Sequence, residues 1–387
     1  MRENKLILFV VNVDWFLISH RFVLCKEALA QGYQVSVACS DTGHRSAIEA
    51  AGVKFIDLPI DRSGTNPINE FKTIRRFSKL YKDVKPDLVH HITLKPVVYG
   101  SIAARRLKIP VVNAVSGLGY NLSESNKGIA KYIMVKLMRY GFRGTDINVI
   151  FQNHDDRNAL KALKITNRKN KIWMIKGAGV DLKEFAHTPV NTSFPLKVIL
   201  PARMLWDKGI KEFKQASELL YQRMKGKLIF QLIGRPDKDN KAGADMDQLK
   251  AWQVQDYFEF LDYQEDMVSV YKSSSIVVLP SYREGMPKSL LEACAIGRPI
   301  VTTTAIGCRE CVDQGVNGYK VEVKDFVALA QRIEEIANDS MLMKRMAKAG
   351  RIKAEKEFDL EIDEDECEGM TTVNDLVEFL AKNFFTK

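Results

Sequence analysis

Apolar and polar positions alternate along this chain between two rhythms. The run Leu6–Val13 is apolar except at Asn12 and predicts a first buried strand. Ser19–Gln31 follows a helical period and stops at Gly32, and Gln34–Cys39 returns to a β-rich pattern. The series continues with His44–Ala51 as helix, Lys54–Leu58 as strand and Glu70–Val84 as a basic helix. Asp87–His91 and Val111–Val115 read as strands separated by a helix around Val97–Leu107, and Ile147–Gln152 and Lys171–Ile175 extend the pattern. Such alternation predicts an open parallel sheet with helices on both faces.

Between Gly177 and Pro195 turn residues replace any sustained period. The alternation then restarts with Lys197–Pro201, Phe213–Met224, Leu228–Ile233, Phe258–Leu261, Met267–Lys272 and Ser275–Pro280. Two later helices are expected, one after Pro287 and one over Phe326–Asn338. The expected fold class is α/β, with two doubly wound Rossmann-like domains facing a central cleft. The boundaries are 1–190, 191–357 and an acidic tail over 358–387. A length of 387 residues suits two cores.

One segment carries more chemistry than the rest: Pro280-Ser-Tyr-Arg-Glu-Gly-Met-Pro-Lys-Ser-Leu-Leu-Glu-Ala-Cys-Ala-Ile-Gly297. A β-branched strand precedes it, and a helix opens with Pro287 in its first turn. The unpaired amides and positive dipole end of such a helix attract anions. Glu284 sits in the loop and Glu292 two turns into the helix. Carboxylates beside a phosphate pocket are costly unless they bind neutral hydroxyls, which points to a nucleotide-sugar. Earlier in the same half, Pro201-Ala-Arg203-Met-Leu-Trp-Asp-Lys208-Gly209 places two cations on a strand-to-helix loop, suited to a diphosphate.

Composition narrows the remaining classes. Hydrophobic content of 46% with 27% charged residues is that of a soluble globular protein. No run of eighteen apolar residues exists, and Asn12 and Asp14 distinguish the N-terminal run from a signal peptide, so a cytoplasmic protein is expected. Cys25, Cys39, Cys294, Cys308, Cys311 and Cys367 form one C-x-x-C and no zinc pattern, and read as incidental reduced thiols. Net charge is +10, but residues 358–387 hold nine acidic residues against two lysines, so the remainder carries +17. That excess favours polyanions or an anionic membrane; no nucleic-acid recognition motif accompanies it.

In combination, Ala202-Arg203…Lys208-Gly209, Leu279-Pro-Ser-Tyr-Arg-Glu-Gly-Met-Pro287 and the Glu284–Glu292 spacing resemble the retaining glycosyltransferases of family 4, which have the GT-B fold. Lys176-Gly-Ala-Gly-Val-Asp181…Phe185, Gly307-Cys-Arg-Glu-Cys-Val312…Gly315-Val-Asn-Gly-Tyr319, Lys95-Pro96…Gly100 and Ser116-Gly-Leu-Gly-Tyr120 fit the same family. Within it the chain is similar to bacterial enzymes that add an N-acetylhexosamine to polyprenyl-diphosphate-linked sugars. The resemblance implies an N-terminal acceptor-binding domain and a C-terminal donor-binding domain. Arg203 and Lys208 would neutralise the donor diphosphate, Glu292 would bind ribose, and Glu284 would lie at the donor sugar, with Gly285, Met286, Pro287 and Lys288 contacting its hydroxyls. It implies a UDP-linked sugar donor, a polyprenyl-linked or surface-polysaccharide acceptor, and no cofactor. No Asp-x-Asp occurs in a suitable loop, so no essential metal is expected.

Three features depart from that pattern or extend it. Ser116 stands where many relatives carry His, leaving Ser116, His20 and His91 as acceptor-side candidates; a helix-capping or packed histidine is the plain alternative for the latter two. Lys127–Arg143 is a basic amphipathic helix suited either to a core face or to peripheral contact with an anionic membrane. The segment from Phe358 to Leu380 resembles the last third of an acyl carrier protein but lacks the Asp-Ser-Leu motif that carries phosphopantetheine. An inactive GT-B scaffold at the membrane and a GT-B nucleotide-sugar epimerase are the competing readings.

Overall fold

The computed structural model describes residues 5–60, 67–118, 128–144, 147–237, 240, 242–254 and 256–359. The expected acyl-carrier-like tail lies outside the described residues from 360 onward, as do Gly119 and Tyr120 of the Ser116 motif and Lys127 of the basic helix. The described residues form two compact units, 5–178 and 179–359.

The first unit is built on seven parallel strands: β1 (Leu6–Val13), β2 (Gln34–Ser40), β3 (Lys54–Asp57), β4 (Leu88–Ile92), β5 (Val111–Val115), β6 (Ile147–Phe151) and β7 (Lys171–Met174). They run in the order β3-β2-β1-β4-β5-β6-β7. Its helices are α1 (Asp14–His20), α2 (Phe22–Ala30), α3 (Arg45–Ala50), α4 (Pro67–Val84), α5 (Ser101–Leu107), α6 (Ile129–Gly141) and α7 (His154–Ala162). The central strands are near-continuous apolar runs because helices cover both faces of a parallel sheet.

In place of one helix over Ser19–Gln31 there are two, α1 and α2, broken at Arg21 with φ −142°. β1 feeds α1 directly: Asp14, buried as the first residue of the helix, is the only polar residue between the strand and Trp15-Phe16-Leu17, too little to mark the change. A one-turn π-helix over Pro96–Gly100 leads into α5.

The second unit holds β8 (Leu196–Pro201), β9 (Leu228–Ile233), β10 (Phe258–Leu261), β11 (Ile276–Leu279), β12 (Ile300–Thr303) and β13 (Gly318–Val321), ordered β10-β9-β8-β11-β12-β13 and all parallel. Its helices are α8 (Ile210–Arg223), α9 (Met246–Ala251), α10 (Met267–Ser273), α11 (Lys288–Ile296), α12 (Phe326–Asn338) and α13 (Ser340–Glu357). The sequence pattern missed α9, β12, β13 and α13 here, and α7 in the first unit. Phe358 closes this core, 1% exposed, with its carbonyl accepting from the Val180 amide at 2.8 Å. A strand order that reverses direction between β8 and β11 leaves a crevice at their carboxyl ends.

Candidate active site

The loops leaving β8 and β11 are the two that the sequence singled out, and many hydrogen bonds hold them together. After β8, Trp206–Lys208 form a 3₁₀ turn and Gly209 takes φ +76°, which redirects the chain into α8. A Cβ on Gly209 would stand 2.2 Å from the Pro280 carbonyl oxygen, so only glycine permits the loops to lie this close. The Tyr282 amide donates to the Asp207 carbonyl at 2.9 Å, and the Ser281 hydroxyl donates to the same oxygen at 3.1 Å. The Tyr282 hydroxyl donates to Glu212 Oε1 at 2.7 Å; burial and this carboxylate push the phenol's pKa up. Glu284 is fixed from the other side, its amide donating to the Ile306 carbonyl at 2.9 Å.

Lys208 Nζ donates to Glu284 Oε1 in a mostly buried ion pair. Arg203 Nη1 donates to Asp237 Oδ2 at 2.8 Å, with the arginine side chain 41% exposed. Both predicted diphosphate cations therefore stand on the expected loop, and each has a carboxylate partner.

Gly285, Met286 and Pro287 are buried where α11 begins. Pro287 occupies the N-cap position with extended backbone (φ −75°, ψ 116°) rather than the first helical turn, and Lys288 opens the helix. Proline fits there because an N-cap amide has no partner within the helix. Met286 packs its sulfur 3.7 Å from Cys311 Sγ.

Glu292, on α11, is 7% exposed with both oxygens engaged. Lys288 Nζ lies 3.2 Å from Oε1, and the Tyr271 hydroxyl donates to Oε2 at 2.9 Å. Burial raises the carboxyl's pKa above its usual range, while Lys288 and Tyr271 pull it back part of the way. Tyr271 was not singled out from the sequence, where it is one residue of the apolar segment Met267–Lys272. Glu212 was missed for a similar reason, as one more charge on a helix; it is 7% exposed, and its Oε2 has no hydrogen-bond partner among the described residues.

In the first unit the acceptor-side candidates occupy different surroundings. Ser116 is half-buried, directly after β5. His20 ends α1, with its ring stacked on Phe16 at 4.2 Å and Nδ1 2.6 Å from the Ser19 hydroxyl. His91 is sealed in the core: Nε2 lies 2.6 Å from the Tyr81 hydroxyl and Nδ1 2.8 Å from Asn113 Oδ1. Burial pushes its pKa down to about 4, so it is neutral at physiological pH and acts there as a packed hydrogen-bonding group.

The described cysteines are all free and buried. Burial raises Cys294 and Cys308 to about 12 and Cys311 well above its usual value, so their thiols stay protonated. Among the described residues no cluster of three His, Cys, Asp or Glu side chains could hold a metal, and no helix is long and apolar enough to cross a membrane.

Known proteins share this organisation. Residues 188–353 match the family described as "Glycosyl transferases group 1", and residues 6–153 match "Glycosyl transferase 4-like". The chain is 29% identical over 355 residues to the Campylobacter jejuni N,N'-diacetylbacillosaminyl-diphospho-undecaprenol alpha-1,3-N-acetylgalactosaminyltransferase, covering 88% of this chain and 91% of that one. It is 26% identical over 314 residues to the Staphylococcus aureus capsular polysaccharide biosynthesis glycosyltransferase CapM, covering 78% and 80%. The crystal structure of Anabaena HepE in complex with UDP-glucose superposes with a TM-score of 0.74 at 18% identity, over 97% of this chain and 99% of that one. The doubly wound units, the loop pair at the β8–β11 reversal and the matches to both halves agree: the chain is a glycosyltransferase of the GT-B fold.

Proposed function

We propose that the chain transfers a sugar, an N-acetylhexosamine, from a UDP-linked donor to a polyprenyl-linked or surface-polysaccharide acceptor, with retention of anomeric configuration and without a metal ion. The observation that carries the reading is the pairing of Lys208 with Glu284 at the carboxyl ends of β8 and β11, just before the helix α11 that carries the buried Glu292. In this reading the second unit binds the donor. Arg203 and Lys208 leave their carboxylate partners for the diphosphate, Glu292 takes the ribose hydroxyls, and Glu284 is freed to meet the donor sugar. The backbone N–H groups of Gly285, Met286 and Lys288 add their dipoles around the start of α11.

The bond between the sugar's anomeric carbon and the β-phosphate oxygen breaks, and the acceptor hydroxyl forms the new bond on the same face. Its proton passes to the departing phosphate oxygen. Catalysis consists mainly in stabilising the negative charge that grows on the diphosphate, which two fixed cations and a helix start can do. No protein nucleophile takes part.

The acceptor falls to the first unit, with Ser116 and His20 as its polar candidates. Its helix α6 supports peripheral contact with an anionic membrane. Val135 and Met138 face the core, while Ile129 (79% exposed), Tyr132 (60%) and Ile133 stand outside beside Lys136. The similarity to the Campylobacter enzyme, whose name specifies an undecaprenol-linked acceptor, supports the same assignment.

The test is melting of the purified protein with UDP and with GDP, followed by UDP release from UDP-N-acetylhexosamine in the presence of a polyprenyl-diphosphate-linked sugar. Stabilisation by UDP is expected. Turnover should fall at least about tenfold in Arg203→Ala and in Glu292→Gln. Stabilisation by neither nucleotide, or full turnover in both variants, would overturn the reading.

A further inference from the structure

The donor carboxylate Glu292 depends for its geometry on a side chain from another helix. Tyr271 is fully buried on α10, its ring edge-on to Phe185 at 6.1 Å between centroids. Its hydroxyl lies 2.9 Å from Glu292 Oε2 and 3.1 Å from the Ser289 carbonyl oxygen, so its one hydrogen is directed at α11. The backbone of Tyr271 is held in turn. Arg298, with no exposed surface, donates from Nε to the Tyr271 carbonyl at 2.9 Å and from Nη2 to the Lys272 carbonyl at 3.1 Å. The same guanidinium donates to the Thr188 carbonyl at 2.8 Å and the Thr188 hydroxyl at 2.7 Å. A buried arginine thus fixes the end of α10, and α10 presents one phenol to one oxygen of Glu292.

We propose that Tyr271 is a positioning residue for donor binding: its phenol holds the Glu292 carboxylate in the orientation in which that carboxylate accepts the ribose hydroxyls of the nucleoside diphosphate. The inference rests on the reading that Glu292 is a donor contact. A carboxylate with one oxygen on Lys288 and the other on Tyr271 has its plane fixed, and its remaining lone pairs point in set directions. Losing either partner frees it to rotate.

The same contact governs when Glu292 is ionised. The groups that face it are Lys288 from its own helix, Tyr271 from α10 and Glu184 from the segment before β8. Burial raises its pKa, Lys288 and Tyr271 lower it, and Glu184 raises it. Tyr271 itself stays protonated, pushed well up by burial and by the adjacent carboxylate, so it donates across the working pH range. Removing the phenol deletes a lowering contribution, and Glu292 then gains its proton at a higher pH. A protonated carboxyl accepts ribose hydroxyls poorly, so affinity is lost as pH falls through that value.

The experiment is calorimetric titration with UDP from pH 5 to 9 on the full chain, in wild type, Tyr271→Phe, Glu292→Gln and the double variant. Ionisation of the UDP phosphates is common to all four and cancels between them. In Tyr271→Phe, the acid loss of affinity should move to higher pH by about one unit or more, the size expected for a hydrogen bond to a charged group. In the Glu292→Gln background the same substitution should move nothing. An unchanged pH profile in Tyr271→Phe, with or without a lower melting temperature, would overturn the proposal. So would an equal shift in the Glu292→Gln background. If Glu292→Gln alone binds UDP as wild type does at every pH, the donor role of Glu292 fails and the proposal falls with it. That result is distinct from a silent Tyr271→Phe beside a weakened Glu292→Gln.

Discussion

Replacing Gly209 by alanine isolates the contact that sets the spacing of the loops after β8 and β11. The added Cβ meets two penalties. The first is conformational: φ is +76°, and a left-handed backbone costs a residue with a Cβ about 1–2 kcal/mol. The second is steric. The Cβ would lie 2.2 Å from the Pro280 oxygen, 2.7 Å from its carbonyl carbon and 2.7 Å from its Cγ. Two of those are backbone atoms, so the β11 loop must move, at an overpacking cost of about 1–3 kcal/mol. Gly226 supplies the control within the same unit, because its φ is +73° and nothing lies within 4 Å of its would-be Cβ. Gly226→Ala should therefore cost about 1–2 kcal/mol and Gly209→Ala about 2–5 kcal/mol.

Urea unfolding followed by tryptophan fluorescence measures both variants, since Trp206 and Trp252, with rings 5.8 Å apart, belong to this unit. Gly209→Ala should also weaken UDP binding, because a displaced Pro280 carries Glu284 away from Lys208. Equal destabilisation by the two substitutions, with unchanged UDP affinity in both, would refute the reasoning.

Two further outcomes follow from packing and exposure. Arg298→Met leaves the Thr188 and Lys272 carbonyls without their buried donor and should cost at least about 3 kcal/mol in urea unfolding; a loss under about 1 kcal/mol would show that the guanidinium does not hold α10. The double substitution Ile129→Asp with Tyr132→Asp should abolish cosedimentation with vesicles containing anionic lipid, while wild-type binding should weaken as salt rises; undiminished binding by the double variant would remove α6 from the membrane assignment.

The alternating periods were enough to predict doubly wound sheets, because long buried strands and amphipathic helices write their pattern over many residues. β12 and β13 escaped it although β3, β10 and β11, equally short, did not. The junction of β1 with α1 was illegible for another reason: Trp15, Phe16 and Leu17 are apolar in either conformation, and only the backbone decides between them. At the candidate site, the placement of Arg203, Lys208 and Glu284 on strand-to-helix loops and of Glu292 on the following helix was legible from local pattern. Their partners were not. Asp237 and Tyr271 meet Arg203 and Glu292 across 34 and 21 residues of chain, and Glu212 meets the loop residue Tyr282 across 70. Such pairings arise from sheet order, which no local pattern encodes. The outward face of α6 was ambiguous for a related reason, since a helical stripe does not say which side the sheet lies on.

The hydrogen bond between Val180 and Phe358 bears on how the chain is made. The seven strands of the first unit end at Met174, so all of them are synthesised before the second unit begins. The second unit cannot close its core in the same progressive way. Its opening segment, at Val180, waits for Phe358 and Asp359, about 180 residues later, to supply a buried ring and a backbone partner. Through most of its synthesis, then, the second unit is an open sheet with an uncovered flank, while the strands of the first are already complete. The late stretch of translation, more than the early one, is where this enzyme is exposed to misfolding.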